Sequence, residues 1–119
     1  MVEAATMAHR IRKVIAARPN VTERAHGDGA WTNVTYEWSV NGRTAVTMQG
    51  DGGLMVRIAK DDHAGFGAEP GAKPLPMSSR GFGGWIRLDA HALTSDTTLA
   101  TWVGRSLDYT ETLPLLDDF

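Results

Sequence analysis

Asn41-Gly42 stands between two runs that alternate apolar and polar residues, and no other feature of the chain restricts its fold as strongly. Both residues tolerate positive φ, which a two-residue hairpin turn requires. Before the pair, Val34, Tyr36, Trp38 and Val40 alternate with Asn33, Thr35, Glu37 and Ser39. After it, Thr44, Val46 and Met48 continue the apolar set. A period of two assigns each set to one face of a sheet. Asp51-Gly52-Gly53 predicts a second turn, and Leu54, Val56 and Ile58 a third strand. The segment 31–58 is therefore expected to be an antiparallel meander with one apolar face, which other elements must cover.

Two amphipathic segments can supply the cover. In 4–17, Met7, Ile11, Val14 and Ile15 recur at helical spacing, and Arg18-Pro19-Asn20 ends the run. Near the other end, Thr94-Ser95-Asp96 offers a helix start, with Ser95 or Asp96 able to cap free amides. Leu99, Trp102, Val103 and Leu107 form the stripe behind it, and Pro114 stops it. Between the meander and this helix, Lys60-Asp61-Asp62-His63 predicts a short helix capped by Asp61, curtailed by Gly65, Gly67 and Pro70-Gly71. The segment 71–84 reads as a loop ending in the glycine hinge Gly81, Gly83 and Gly84; Trp85 to Leu88 reads as a strand. Val21 to Ala25 reads as a short extended segment, and His26-Gly27-Asp28-Gly29 as a turn.

The expected architecture is one domain over 1–119, with 114–119 a C-terminal tail. It is a two-layer α+β fold in which an antiparallel sheet of about five strands carries helices on one face. The order is helix, strands, helix, strand, helix. With 119 residues the chain can bury one core.

Composition excludes several chemistries. Cysteine is absent, which removes disulfides, thiol nucleophiles and cysteine-ligated zinc, and suits a cytoplasmic location. No long apolar run marks a signal peptide or a membrane span. The net charge of −2 argues against a tight, non-specific nucleic-acid binder. The charge is uneven, however. Arg10, Arg12, Lys13, Arg18 and Arg24 dominate the first 24 residues, whereas Asp89, Asp96, Asp108, Glu111, Asp117 and Asp118 dominate the last 31. Two solvated helix faces set against each other would account for this.

No catalytic or metal motif stands out. His9, His26, His63 and His91 are scattered, with no pair at metal-ligand spacing. His63, beside Asp61 and Asp62, reads as part of a solvated helix start. There is no Gly-x-Ser-x-Gly elbow, and Gly81-Phe82-Gly83-Gly84 leads into a strand and not into a helix N-terminus that could hold phosphate. No catalytic residue, metal or cofactor is assigned. The candidate surface comes from strand parity. If Leu54, Val56, Ile58, Ile86 and Leu88 face the helices, then Met55, Arg57, Trp85 and Arg87 face away, with Arg43 at their edge. Such a face could contact a partner protein, an anionic ligand or single-stranded nucleic acid, or it could be covered by the 71–84 loop or a second copy of the chain.

Residues 51–66 (DGGLMVRIAKDDHAGF), 70–74 (PGAKP) and 81–114 (GFGGWIRLDAHALTSDTTLATWVGRSLDYTETLP) resemble the TfoX N-terminal domain. Leu54 to Arg57, the Pro70 to Pro74 loop, Gly84-Trp85 and Trp102 carry the likeness. The family's Met-Phe-Gly-Gly motif is replaced here by Ala25-His26-Gly27-Asp28-Gly29. Val21 to Gly27 is also similar to the MmcQ/YjbR family, whose members are often labelled DNA-binding. Both resemblances imply helices packed on one side of a curved antiparallel sheet. The first implies a small bacterial, non-enzymatic, regulatory or binding domain. Two alternatives remain. One is a small-ligand-binding protein or enzyme with a pocket near His26, Trp31, Tyr36 and Trp38. The other is a DNA-binding protein of MmcQ/YjbR type.

Overall fold

The computed structural model describes residues 2–25, 34–75 and 84–113. Helix α1 spans Val2–Ile15. Strand β1 (Val21–Ala25) follows, then β2 (Val34–Val40), β3 (Arg43–Gln49) and β4 (Leu54–Ile58). A 3₁₀ turn at Lys60–Asp62 leads into the short helix α2 (His63–Gly67). Strands β5 (Ala72–Pro74) and β6 (Gly84–Leu88) come next. A second 3₁₀ turn, Ala90–Leu93, precedes helix α3 (Asp96–Glu111). The strands form one six-stranded antiparallel sheet in the order β1-β2-β3-β4-β6-β5. The fold is the expected α+β arrangement, with differences in detail.

The hairpin forms where Asn41-Gly42 places it. Asn41 has φ 56° and Gly42 φ 81°, the pair of left-handed residues that matches the twist of the flanking strands. Six strands replace the five expected. Two segments read as extended chain and loop join the sheet at its edges, β1 beside β2 and β5 beside β6. Their own sequences are too short and too polar to show an alternation; the neighbouring strand's unpaired backbone recruits them. Edge strand β5 ends on Pro74, a residue that central strands exclude.

Parity along β4 and β6 is as expected: each shows buried residues at its first, third and fifth positions and half-buried ones between. Leu54, Val56, Ile58, Ile86 and Leu88 join Trp38, Val40, Val46 and Met48 in one apolar face. Helices α1 and α3 pack on it through Met7, Ile11, Leu99, Trp102, Val103 and Leu107, all buried. Full burial of such side chains contributes roughly 1.5–3 kcal/mol each. Helix α3 starts as expected, with Ser95 Oγ accepting from Thr98 N–H at 3.3 Å.

Two expectations need correction. Strand β3 carries a bulge against β2: Trp38 pairs with Val46, yet Ser39 pairs with Thr44 and Val40 with Arg43. Ala45 is the extra residue, and past it the faces swap. Thr44 therefore leaves the apolar set; its hydroxyl donates to Glu37 Oε2 at 2.8 Å. The second correction is His63, which is not part of a solvated helix start but buried, 9% exposed. The backbone of Trp85 draws it in: the carbonyl accepts from His63 Nε2–H at 3.2 Å and from Leu75 N–H at 2.9 Å. The opposed charges at the two ends of the chain do meet. Arg10 binds Asp96 at 3.0 Å and Arg18 binds Asp108 at 2.9 Å, tying α1 and its exit turn to α3.

Candidate functional site

The sheet's second face is built by the alternate residues of β3, β4 and β6. Arg57 and Trp85 are direct cross-strand partners, as are Met55 and Arg87, and Arg87 and Lys73. The Arg57 guanidinium lies over the Trp85 ring, 4.8 Å from its centroid. A cation over an indole gains from the ring quadrupole, and more so where water is partly excluded. Arg57 Nε–H also donates to the Thr44 carbonyl at 2.7 Å. Burial holds the Arg57 guanidinium below its ordinary pKa; Tyr109 opposes that shift and the like charge of Arg43 adds to it. An arginine remains cationic throughout the physiological range even so.

Arg87 is held differently. Its Nη2 binds Asp51 Oδ2 at 3.0 Å and its Nε approaches Asp89 Oδ1 at 3.3 Å. Lys73 Nζ closes the chain on Asp89 Oδ2 at 2.7 Å. The lysine, chiefly, and then Arg87 hold the Asp89 carboxyl below its usual range. Asp51 is lowered mainly by the Gly53 N–H, which donates to Oδ1 at 2.9 Å. A Cβ at Gly53 would stand 2.5 Å from Arg87 Nη2, so a larger residue there would displace the arginine side chain. The turn backbone thus forms the seat of the arginine. Beside it, Gln49, Gly50, Asp51 and Arg87 line a polar cavity of about 270 Å³.

Of the four residues expected on this face, the structure joins Arg57 and Trp85 in one stack and sets Arg87 one cross-strand pair away. Arg43 does not join them: beyond the bulge it pairs with Val40 of the apolar face, so parity sets it on the helix side, although its charge still acts on Arg57. The alternative pocket residues behave differently. Trp38 is fully buried, with its Nε1–H donated to Glu23 Oε1 at 3.0 Å and its ring stacked on Tyr36 at 5.9 Å. Glu23 also takes two bonds from Arg12, each 2.9 Å, and Arg12 reaches over the Tyr36 ring. His26 and Trp31 lie outside the described residues. A cavity of about 220 Å³ between α1 and α3, lined by Arg10, Lys13, Val14, Asp96, Leu99 and Ala100, is distant in sequence from Tyr36 and Trp38.

Sequence reading missed Lys73, Asp51 and Asp89 as members of the same surface, though not Met55. The parity of β4 carried Met55. The other three depend on the pairing of β5 with β6 and on the path of the β3–β4 turn. Among the described residues, no three His, Asp or Glu side chains converge to hold a metal ion, and no helix is long and apolar enough to cross a membrane. No protein-family model, curated protein or solved structure matches the chain.

Proposed function

We propose that the chain is a non-enzymatic binding domain of the regulatory kind that the TfoX N-terminal resemblance implies, and that it contacts protein through the outer face of its sheet. The observation that carries this reading is the Arg57–Trp85 stack, half-buried and on the face turned away from α1 and α3. Tryptophan, arginine and methionine are the side chains enriched at protein interfaces, and Trp and Arg lead among those that dominate binding energy. Met55, Arg57, Trp85 and Arg87 bring all three together on adjacent strands. The ion pairs of Asp51, Arg87, Asp89 and Lys73 supply the polar margin that such a centre needs.

The occupant we infer is a second copy of the chain. The face and its margin carry Lys73, Arg57 and Arg87 against Glu37, Asp51 and Asp89. That balance suits a two-fold contact, since a surface with no excess of either charge does not repel its own copy. It suits a polyanion poorly, since Arg87 and Lys73 already hold carboxylates. Sedimentation velocity from about 1 to 200 μM, set against interface affinities in that range, tests it. The wild type is expected to dimerise, and Arg57→Ala/Arg87→Ala to weaken the dimer at least about tenfold. A wild type that stays monomeric throughout overturns the reading.

A further inference from the structure

We propose that Ser106 of α3 is a positioning residue for the Arg57–Trp85 pair, so that the helical layer sets the geometry of the opposite sheet face; this rests on the reading of that face as the contact surface.

The β3–β4 ladder runs through Met48↔Leu54, Thr47↔Met55 and Val46↔Val56, then stops. One step further, Ala45 and Arg57 would face each other, and Arg57 N–H would donate straight to the Ala45 carbonyl. A side chain from another element stands between them instead. Ser106 Oγ accepts from Arg57 N–H at 3.1 Å and donates its own proton to Ala45 O at 2.7 Å. The hydroxyl is fully buried, and both of its bonds go to sheet backbone. It therefore replaces a ladder bond and wedges the two strands apart at this point.

The wedge fits because Ala45 and Ser106 are both small. Ala45 is fully buried under α3 and is also the bulge residue of β3. A longer side chain at either position would hold the helix off the sheet. The consequence falls on the next atoms of Arg57. Its Nε–H reaches the carbonyl of Thr44, the neighbour of Ala45, at 2.7 Å. With its main chain held by Ser106 and its side chain anchored on Thr44 O, the guanidinium is delivered onto the Trp85 ring. Ala45 O and Thr44 O are consecutive carbonyls of one strand, so a shift of Ser106 moves both anchors together. A stacked arginine needs its plane fixed, and this double hold fixes it.

The test follows Arg57 Nε–H and the Trp85 indole N–H by NMR, at a concentration where the chain is monomeric. In the wild type, Arg57 N–H and Nε–H are expected to be protected from exchange to within about tenfold of each other, because they open as one unit. A protected amide with a freely exchanging Nε–H overturns the proposal without any variant. In Ser106→Ala, Nε–H exchange is expected to rise at least about tenfold and the Trp85 indole resonance to shift. Ser106→Cys fills the space with a weak donor and is read the same way if the alanine variant does not fold. Unchanged Nε–H protection and an unchanged Trp85 resonance in a folded variant mean that Ser106 only packs. The failure of dimerisation described above is separate: it would remove the contact surface while leaving these signals intact.

Discussion

Glu23 shows how much one carboxylate on an edge strand can gather. It binds Arg12 of α1 in a bidentate pair and accepts from the indole of its cross-strand partner Trp38. Arg12 chiefly, and Trp38 after it, hold the carboxyl below its ordinary range against the opposing effect of burial. A carboxylate with a depressed folded pKa stabilises fully above its unfolded value of about 4.3. That contribution fades as pH falls through the lower folded value. Glu23→Gln is expected to cost about 1 kcal/mol at neutral pH, since Arg12 is solvated and glutamine keeps an acceptor for Trp38. The variant should also flatten the acid limb of a stability-against-pH curve, read by urea denaturation between pH 2 and 7; an unchanged acid limb would falsify this role. Trp102 belongs to the same scale. It is 3% exposed, edge-on to Phe66 and beneath the Arg105 guanidinium. Trp102→Ala should destabilise by roughly 3–5 kcal/mol, and a thermal melt superimposable on that of the wild type would place it outside the core.

Among the elements, the β2–β3 hairpin was the most legible; α2 forms as the short helix expected, but Asp61 does not cap it and lies in the 3₁₀ turn before it. Asn41-Gly42 takes the left-handed conformations its composition favours, so Gly42→Ala, at φ 81°, should cost about 1–2 kcal/mol. Chemical denaturation of that variant checks it, and a midpoint equal to that of the wild type would mean the turn adopts another type. Helix α2 has five residues and no side-chain cap. Its length gives no periodicity to read. Tertiary contacts set its place: Phe66 against Trp102, and His63 on the Trp85 carbonyl. Strands β1 and β5 are similar cases, short segments made into strands by a neighbour's open backbone edge.

At the scale of the whole molecule, the layers explain where the charges went. The basic first helix and the acidic last one pair across the helical layer through Arg10–Asp96 and Arg18–Asp108. Arg105 is used in the same layer, on Glu69 and over two aromatic rings. With a net charge of −2, binding to duplex DNA at physiological salt should be weaker than about 1 μM. A salt titration by fluorescence anisotropy is the measurement. Tighter binding that falls steeply with salt would favour the DNA-binding alternative over protein contact.

The sequence alone determined the meander, the hairpin turn and the identity of the core. Each follows from a local period or a local backbone preference, and Val46, Val56, Ile86 and Trp102 lie where those rules put them. Strand parity also gave the shared face of Arg57 and Trp85. Tertiary structure decided the rest. The bulge at Ala45 turned Thr44 to the other face, and the burial of His63 depended on a carbonyl 22 residues away. The insertion of Ser106 between Ala45 and Arg57 joins positions separated by 61 and 49 residues. Periodicity says which side of an element is apolar. It does not say which residue of a helix comes to rest over which gap in a sheet, because packing of the two surfaces fixes that register.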